Sequence, residues 1–444
     1  MIATALQPAR AADFRQRRYA LLASAIMAAT VVVPHVVIGG VTLGADDLIA
    51  LAVLPLLPLA MLAGRDTTLA PSTVFAGALW LVILVHGCLM GLAATAQYFG
   101  QAAFPTEMWQ YVKRATFFYA AFLVVSSHSS IEPAYKALAS MLLVACLIGL
   151  VQIGSGTVPD FLSTLYARTD AQLEHLVDRE LATRRTYGVA GHPVAWGGFS
   201  VFCAAVASPF VLVGSTRLRQ RGWHLTAVML FVAATVNVLF SASRAAIAAF
   251  VAVFLLKGLL EMSARRGGLR AFGKWLVWIA LMAGTALYFA LDRLALLAFR
   301  LLTLADQRGG GRVDQVSSAL ALLDSPSAVL TGVGNAVQRS QSVSHGVEVE
   351  PVYLLVNYGI IGALCRYALL LTIAAMALRL VRDRRPWHSA LGMSALLALC
   401  GYGVFSSGYF FFQELYVGVV PWLLFGMVAG MHQRVWLDQR AGIC

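Results

Sequence analysis

Charged residues are scarce in this sequence. They make up 12% of the 444 residues, whereas 59% are hydrophobic, and a soluble globular protein carries about 25% charged residues. Many apolar runs reach ~17–25 residues, which is long enough to cross a ~30 Å hydrocarbon layer as a helix. The ~10-residue alternating segments of a membrane barrel are lacking. We therefore expect an all-α, polytopic membrane protein.

Patterns that bind metals or nucleotides are also lacking. The six cysteines show neither a C-x-x-C pattern nor a Cys/His ligand spacing, so no zinc site and no disulfide framework is indicated. Asp-x-Asp does not occur. The glycine run Gly309–Gly311 is not part of a P-loop, because no Gly-Lys-Ser/Thr follows it. The sequence thus predicts no metal site, and we expect no cofactor.

About twelve spans are predicted, and the basic residues orient them. With the amino terminus in the cytoplasm, the cytoplasmic segments hold most of the Lys and Arg, as the positive-inside rule requires. The net charge of +12 then reflects topology and attraction to headgroups, and it does not predict nucleic-acid binding. Both termini are cytoplasmic in this layout. The predicted spans are 19–39, 47–64, 72–92, 111–128, 137–155, 194–214, 225–242, 244–262, 274–294, 352–378, 389–407 and 413–431.

Two long loops lie on the outer face in this layout, at 156–193 and 295–351. Loops of that length are usually functional or disordered. They belong to one integral membrane domain, 1–444. The second loop contains the glycine run, which is flanked by Arg308 and Arg312 and is either a flexible loop tip or a close backbone approach to a ligand.

One arginine interrupts the apolar run from Leu225 to Leu256. Arg244 falls at an outer turn of three or four residues, with Ser241 and Ser243 as candidate caps of the next helix. It is either a snorkelling, turn-stabilising cation or an anion ligand. The second interpretation rests on the guanidinium fork, which binds phosphate oxygens with two parallel hydrogen bonds.

The loop ends contain candidate general bases. Glu350 precedes Pro351 beside apolar span ends, where a carboxylate is either a general base or a solvated anion at a helix start. His345 and His192 are rival bases, although each has the alternative of an ordinary hydrogen-bonded loop histidine. Tyr187 and Tyr353 are interfacial aromatics by default.

Arg366 lies about halfway along the predicted span 352–378. An ionisable residue inside a membrane helix is a functional hypothesis by default. The alternative is that Arg366 snorkels to the cytoplasmic surface from a tilted helix.

Four motifs follow one another between residues 185 and 365, and their order is informative. They are Arg185-Thr-Tyr-Gly-Val-Ala-Gly-His192-Pro193; Ser243-Arg244-Ala245-Ala246; Arg312 opening an amphipathic helix that leads to Gly332-Val-Gly334; and Glu350-Pro-Val-Tyr353 with Gly359-Ile-Ile-Gly362. In this order they resemble the O-antigen ligase and polymerase superfamily of bacterial inner-membrane, GT-C-type glycosyltransferases.

The resemblance implies a reaction on the periplasmic side of the membrane. An undecaprenyl-diphosphate-linked glycan would be transferred, with inversion and without a divalent metal, to the hydroxyl of an acceptor glycan or of lipid A-core. By the same resemblance, Arg185, Arg244 and Arg312 bind the diphosphate, Arg244 also assists catalysis, and Glu350 or His345 is the base. Further substrate contacts are expected from His192, Tyr187, Arg308 and Tyr353.

Three functions stay open at this stage. Ligases of the superfamily tend to have His-Asn where this chain has Glu350-Pro351, which favours a polymerase of O-antigen or exopolysaccharide units, with a chain-length regulator as a candidate partner. An O-antigen ligase or a protein O-oligosaccharyltransferase is the first alternative. A secondary transporter or flippase is the second, and it is disfavoured because the predicted spans have few charges apart from Lys257 and Arg366.

Overall fold

The chain folds mainly into α-helices. The computed structural model describes residues 21–38, 41–58, 68–98, 104–127, 131–154, 165–166, 185–211, 221–264, 273, 277, 280, 284, 312–334, 347–409 and 417–442. The helices are α1 (Ala45–Val53), α2 (Pro71–Tyr98), α3 (Phe104–Ser126), α4 (Glu132–Gly154), α5 (Pro193–Ala207), α6 (Arg221–Phe240), α7 (Arg244–Ala264), α8 (Arg312–Leu320), α9 (Pro326–Thr331), α10 (Glu350–Val381), α11 (Pro386–Phe405) and α12 (Val420–Arg440).

Six segments of the described chain are long and apolar enough to cross a membrane as helices. This agrees with the expectation of a helical membrane protein. Helices α3, α7 and α12 each overlap a predicted span, at 111–128, 244–262 and 413–431 respectively. Most of the predicted span 274–294 lies outside the described residues. The six segments are Pro71–Met90, Glu132–Ile153, Pro193–Phe210, Trp223–Phe240, Glu350–Val381 and Pro386–Phe405.

Small residues allow the buried helices to approach one another closely. Helix α12 packs along α3, and Gly426 and Gly430 lie directly against the carbonyl oxygens of Phe118 and Phe122. Glycines four residues apart let two helix backbones pack at short range, a common arrangement in membranes. Aromatic side chains pack beside this contact, with Trp80 and Trp422 edge to face at 4.7 Å.

The first two predicted spans are wrong in part. Residues 21–29 are helical, but 36–43 form a short antiparallel hairpin in which β1 (Val36–Ile38) pairs with β2 (Val41–Leu43). The span predicted at 47–64 begins as α1 and is interrupted by a turn at Leu54 and Pro55. A proline inside an apolar run removes a backbone donor and ends the regular helix, which hydropathy alone does not register.

Helix α10 is not the continuous span predicted at 352–378. It breaks at Gly359, whose backbone angles of φ 61° and ψ −171° are not helical. The break occurs where α9 docks, because Val333 N–H donates to the Val356 carbonyl at 2.8 Å and Gly334 N–H donates to the Asn357 carbonyl at 3.2 Å. The second predicted loop is therefore folded, in its described part, against the break in α10.

The spans also contain more buried charge than predicted. Lys113 and Arg114, inside the predicted span 111–128, are each 1% exposed. Lys113 forms ion pairs with both Asp46 and Asp47 at the start of α1. An average hydropathy does not predict such ion pairs, because it sums the residues of one segment and contains no information on their contacts with other segments.

Candidate functional site

The segment at residues 185–192 is fixed against the ends of two helices. Arg185 is 9% exposed, and its Nε donates a 2.9 Å hydrogen bond to the carbonyl of Ser241. Thr186 N–H donates to the Phe240 carbonyl at 3.1 Å. The backbone of Gly188 donates to Gln152 Oε1 of α4 at 2.9 Å. These backbone and side-chain bonds hold Arg185 beside the α6–α7 turn.

The turn between α6 and α7 has the predicted length. It comprises the three residues 241–243, and Ser243 Oγ accepts from Ala246 N–H at 3.3 Å as an N-cap. Ala242 adopts a positive φ of 48°, which gives the turn its sharp reversal. Arg244 is therefore the first residue of α7, half-buried, three positions after the carbonyl that binds Arg185.

Residues 405–409, which we name the α11 turn, connect this arginine pair to the candidate base. Glu350 N–H donates to the Ser406 carbonyl at 3.0 Å. Gly408 packs on Ala245, the neighbour of Arg244, so closely that a Cβ at Gly408 would be 2.9 Å from Ala245 Cβ. Arg185, Arg244 and Glu350 thus belong to one end of the helix bundle.

His192 also contacts the α11 turn. Its ring stacks on Tyr409, with centroids 5.4 Å apart and planes inclined by 9°. Tyr187, by contrast, is fully buried in the core, with its backbone N–H bonded to Gln152. Tyr187 is thus part of the packing that holds the 185–192 segment, whereas a residue on an interfacial belt would be partly exposed.

The remaining predicted site residues are only partly described. Arg312 opens α8, as the motif predicts, and Ser325 caps α9 through Ala328 N–H at 3.2 Å. The side chain of Arg312 lies outside the described part of the structure. Arg308 and His345 lie outside the described residues altogether, so the choice between Glu350 and His345 stays a prediction.

A second group of polar residues lies inside the bundle, and we name it the buried centre: Arg114, Glu350, Arg366, Tyr367 and Tyr402. Glu350 is completely buried, and the two arginines are 1% and 2% exposed. Tyr402 of α11 interacts electrostatically with both Glu350 and Arg366, and so does Tyr367. Arg366 therefore does not snorkel to the cytoplasmic surface but is retained beside a carboxylate.

The break in α10 explains how these residues meet. In a straight helix, Glu350 and Tyr367 would stand about 25 Å apart at 1.5 Å per residue. The backbone of Gly359 is not helical, and Glu350 before this break interacts with Tyr367 after it. Residues from both sides of the break thus contribute to one polar centre.

Aromatic rings surround the two arginines. The Arg366 guanidinium carbon lies 4.8 Å from the Trp422 ring centroid, and that of Arg114 lies 5.6 Å from the Tyr111 ring centroid. Arg114 also interacts with Arg366, Tyr353 and Tyr358. Ring faces attract a guanidinium and so offset part of its desolvation. Tyr353, predicted as a substrate contact, thus lies next to Arg114.

Arg114, Tyr367 and Tyr402 were missed by the sequence reasoning. A signal for Arg114 was present, because it lies inside a predicted span and intramembrane charges are functional hypotheses by default. No comparable signal existed for the two tyrosines, since tyrosine is common in membrane helices and only the fold brings these two to Glu350.

Two other buried charged groups have local partners. Lys257 donates to the Ser208 carbonyl at the end of α5 and lies 3.8 Å from Glu261. His35, Asp46 and Asp47 form the one cluster of three possible metal ligands that the described residues contain. The ammonium of Lys113 already lies between the two carboxylates, so this cluster is an ion-pair network that links α1 to α3.

Comparison with known proteins adds no family to these observations. No protein-family model matches the chain, and no curated protein is significantly similar to it.

Proposed function

We propose that the protein is a glycosyltransferase of the bacterial inner membrane, which extends a surface polysaccharide on the periplasmic side. Its donor would be an undecaprenyl-diphosphate-linked glycan, and its acceptor a hydroxyl of a second glycan. One observation carries the proposal: Arg185 and Arg244 meet at one turn, and the α11 turn beside it is bonded to Glu350.

The chemistry requires a cation where the diphosphate departs. The anomeric carbon loses its bond to the diphosphate oxygen and gains one to the acceptor oxygen from the opposite face, so the centre inverts. Negative charge develops on the diphosphate, and the fixed guanidinium groups of Arg185 and Arg244 would stabilise it, with Arg312 as the third. Arg185 suits this role because its Nε is occupied by Ser241, which fixes the direction of the fork.

The acceptor hydroxyl must lose a proton in the same step. Glu350 is our first candidate for the base, because its backbone is bonded to the α11 turn and its side chain is completely buried. A buried carboxylate is shielded from water, which favours proton transfer from a bound hydroxyl over exchange with solvent. His345 is the second candidate.

The test is glycan extension in proteoliposomes that contain the purified protein and lipid-linked repeat units. Arg244→Lys keeps the charge but loses the two-pronged geometry, so we expect a loss of activity of about 10²-fold or more with normal insertion. Arg384→Lys is the matched control, because Arg384 is exposed at the far end of α10. Normal extension by Arg244→Lys would contradict the phosphate role.

Glu350→Gln separates the base from the binding residues. We expect turnover to be abolished while donor binding persists, because the amide keeps the shape of the carboxylate but accepts no proton. Glu132→Gln, which removes a half-exposed carboxylate in an i,i+4 pair with Lys136, controls for the loss of one negative charge. Unchanged turnover in Glu350→Gln would transfer the role to His345.

A lipid-anion transporter is the second candidate, and the buried charges of Arg114 and Arg366 inside apolar helices favour it. The same proteoliposomes distinguish the two functions. Product lengthening without any ion gradient supports the transferase, whereas movement of lipid-linked saccharide across the bilayer without lengthening supports the transporter.

A further inference from the structure

We propose that Tyr402 is a positioning residue for the base of the transfer reaction: its hydroxyl holds the carboxylate of Glu350 in the orientation that accepts the proton of the acceptor hydroxyl. This role rests on the proposed function, in which Glu350 is the base. Tyr402 acts through Glu350 and not on a substrate. Glu350 is the first residue of α10, whereas Tyr402 lies near the end of α11, so the role depends on how these two helices meet.

The backbones of Tyr402 and Glu350 are connected through Ser406. The N–H of Ser406 donates to the Tyr402 carbonyl at 2.8 Å, and the Ser406 carbonyl accepts the N–H of Glu350 at 3.0 Å. Residues four apart at a helix lie on the same face. The face of α11 that holds the backbone of Glu350 is therefore also the face that carries Tyr402.

The side chains of the two residues also meet. The hydroxyl of Tyr402 lies close enough to the carboxylate of Glu350 to interact with it as a hydrogen-bond donor. Glu350 is completely buried and Tyr402 is 6% exposed, so the contact is shielded from bulk water. An ionised carboxylate only accepts hydrogen bonds, and a buried one needs donors from the protein to offset its desolvation. Because a hydrogen bond is directional, the phenol also restrains the rotation of the carboxylate.

The ring of Tyr402 is itself held between helices. Together with Phe202 of α5 and Phe405 of α11, it lines a small internal cavity between α5, α11 and α12. Glycine brings two of these helices together, because a Cβ at Gly198 of α5 would be 2.7 Å from the Phe405 ring. A ring in such a packed interior changes its rotamer only when its neighbours move. The direction of the hydroxyl is therefore set before a substrate binds, as a supporting residue of a site requires.

The position of the carboxylate affects the rate of transfer. In the proposed reaction the acceptor oxygen bonds to the anomeric carbon while its proton passes to one oxygen of Glu350, and the diphosphate leaves with the electron pair of the broken bond. Tyr402 keeps its own proton throughout and holds the carboxylate in line with the acceptor hydroxyl. A displacement of about 1 Å in a site can cost on the order of 100-fold in rate. Loss of the contact should therefore lower kcat and leave substrate affinity unchanged.

The kinetic test compares Tyr402→Phe with Tyr135→Phe in the glycan-extension assay. Tyr402→Phe removes only a hydroxyl, and it is expected to lower kcat about 10- to 100-fold while both KM values stay within about twofold. Tyr135→Phe is the matched control, because the hydroxyl of Tyr135 is also buried and donates to the Val206 carbonyl at 2.6 Å. It is expected to lower the unfolding temperature without lowering the kcat of the folded protein.

Infrared difference spectroscopy tests the contact independently of activity. The difference between spectra recorded with and without Glu350→Gln isolates the carboxyl band of Glu350. Tyr402→Phe is expected to shift this band, because the carboxylate loses a hydrogen bond, whereas Tyr135→Phe should leave it unchanged. If Tyr402→Phe does not fold, Tyr402→3-fluorotyrosine keeps the shape of the ring and makes the hydroxyl a stronger donor, so the band should shift in the opposite direction.

The outcomes separate this role from the proposed function. If wild type extends glycans and Tyr402→Phe keeps its kcat or leaves the Glu350 band in place, the positioning role is refuted and the transferase stands. Equal losses of kcat in Tyr402→Phe and Tyr135→Phe would make Tyr402 purely structural and refute the role as well. Normal extension by Glu350→Gln would remove the base that Tyr402 positions. If the band shifts but even wild type extends no glycan, the transferase is refuted, and with it the reaction that Tyr402 would assist.

Discussion

Gly359 is the residue on which the geometry of the buried centre depends, and Gly359→Ala is therefore the most informative single change. Its φ of 61° and ψ of −171° lie in a region that is essentially restricted to glycine, and another residue there costs about 1–3 kcal/mol. The backbone of Leu330 and of Gly332 lies directly where a Cβ would point, so α9 would also have to move. Together these effects predict a destabilisation of about 3 kcal/mol, or roughly 100-fold in the folded population.

The assay for Gly359→Ala is thermal unfolding in detergent, followed by tryptophan fluorescence, together with glycan extension. If the chain avoids unfolding by straightening α10, Glu350 leaves Tyr367 and Tyr402, and extension fails while the protein stays folded. Gly403→Ala in α11 is the matched control, since nothing lies within 4 Å of a Cβ there and alanine is the better helix former. A Gly359→Ala protein as stable and as active as Gly403→Ala would refute the reasoning.

Two further predictions concern ion pairs. Burial opposes ionisation of Asp383, but hydrogen bonds from Arg385 and His388 outweigh it and lower the pKa of Asp383 from 3.8 to about 2. The stabilisation from these contacts is therefore complete above pH ~4 and lost towards pH 2. We expect it to be at most about 2 kcal/mol, because Arg385 is 41% exposed and solvent screens its charge. Asp383→Asn should remove this part of the pH dependence of the unfolding free energy. Lys113→Met leaves two adjacent carboxylates buried without their shared cation. We therefore expect the free energy of unfolding to fall by about 3–5 kcal/mol, or the protein not to fold, as measured by thermal unfolding in detergent. Lys136→Met, which removes the cation of a 28% exposed i,i+4 pair, should cost about 0.5 kcal/mol. Equal behaviour of the two lysine variants would contradict the buried pairing.

The turn before α7 shows how far local sequence rules reach. The length of the turn, the capping by Ser243 and the place of Arg244 at the start of a helix were all predicted, and the structure confirms them. Hydropathy and capping depend on residues close together in the chain, so the sequence contains the whole argument. The start of α10 beside Pro351 was predicted on the same local grounds, whereas the helix opened by Arg312 was expected from the family resemblance.

Two of the errors share one physical origin. The break at Gly359 and the buried pairing of Lys113 result from contacts between distant parts of the chain, whereas the hairpin at 36–43 pairs residues at most seven positions apart and was missed because average hydropathy does not register a turn. Nothing in the local sequence distinguishes Gly359 from other glycines of membrane helices, where glycine is common. It breaks the helix because α9 docks on it, and α9 lies about thirty residues earlier in the chain.

The sequence by itself determined that this is a helical protein with membrane-spanning helices, and it marked Arg185, Arg244 and Glu350 as candidate site residues. Those conclusions follow from composition, local propensity and motif order, which a linear chain displays directly. Only the tertiary structure decided which charges meet: it brought Arg185 to the turn of Arg244, and it bent α10 so that Glu350 lies beside Tyr402 and Arg366. The reason is that electrostatic interactions depend on distance and burial, and both are set by how distant helices pack.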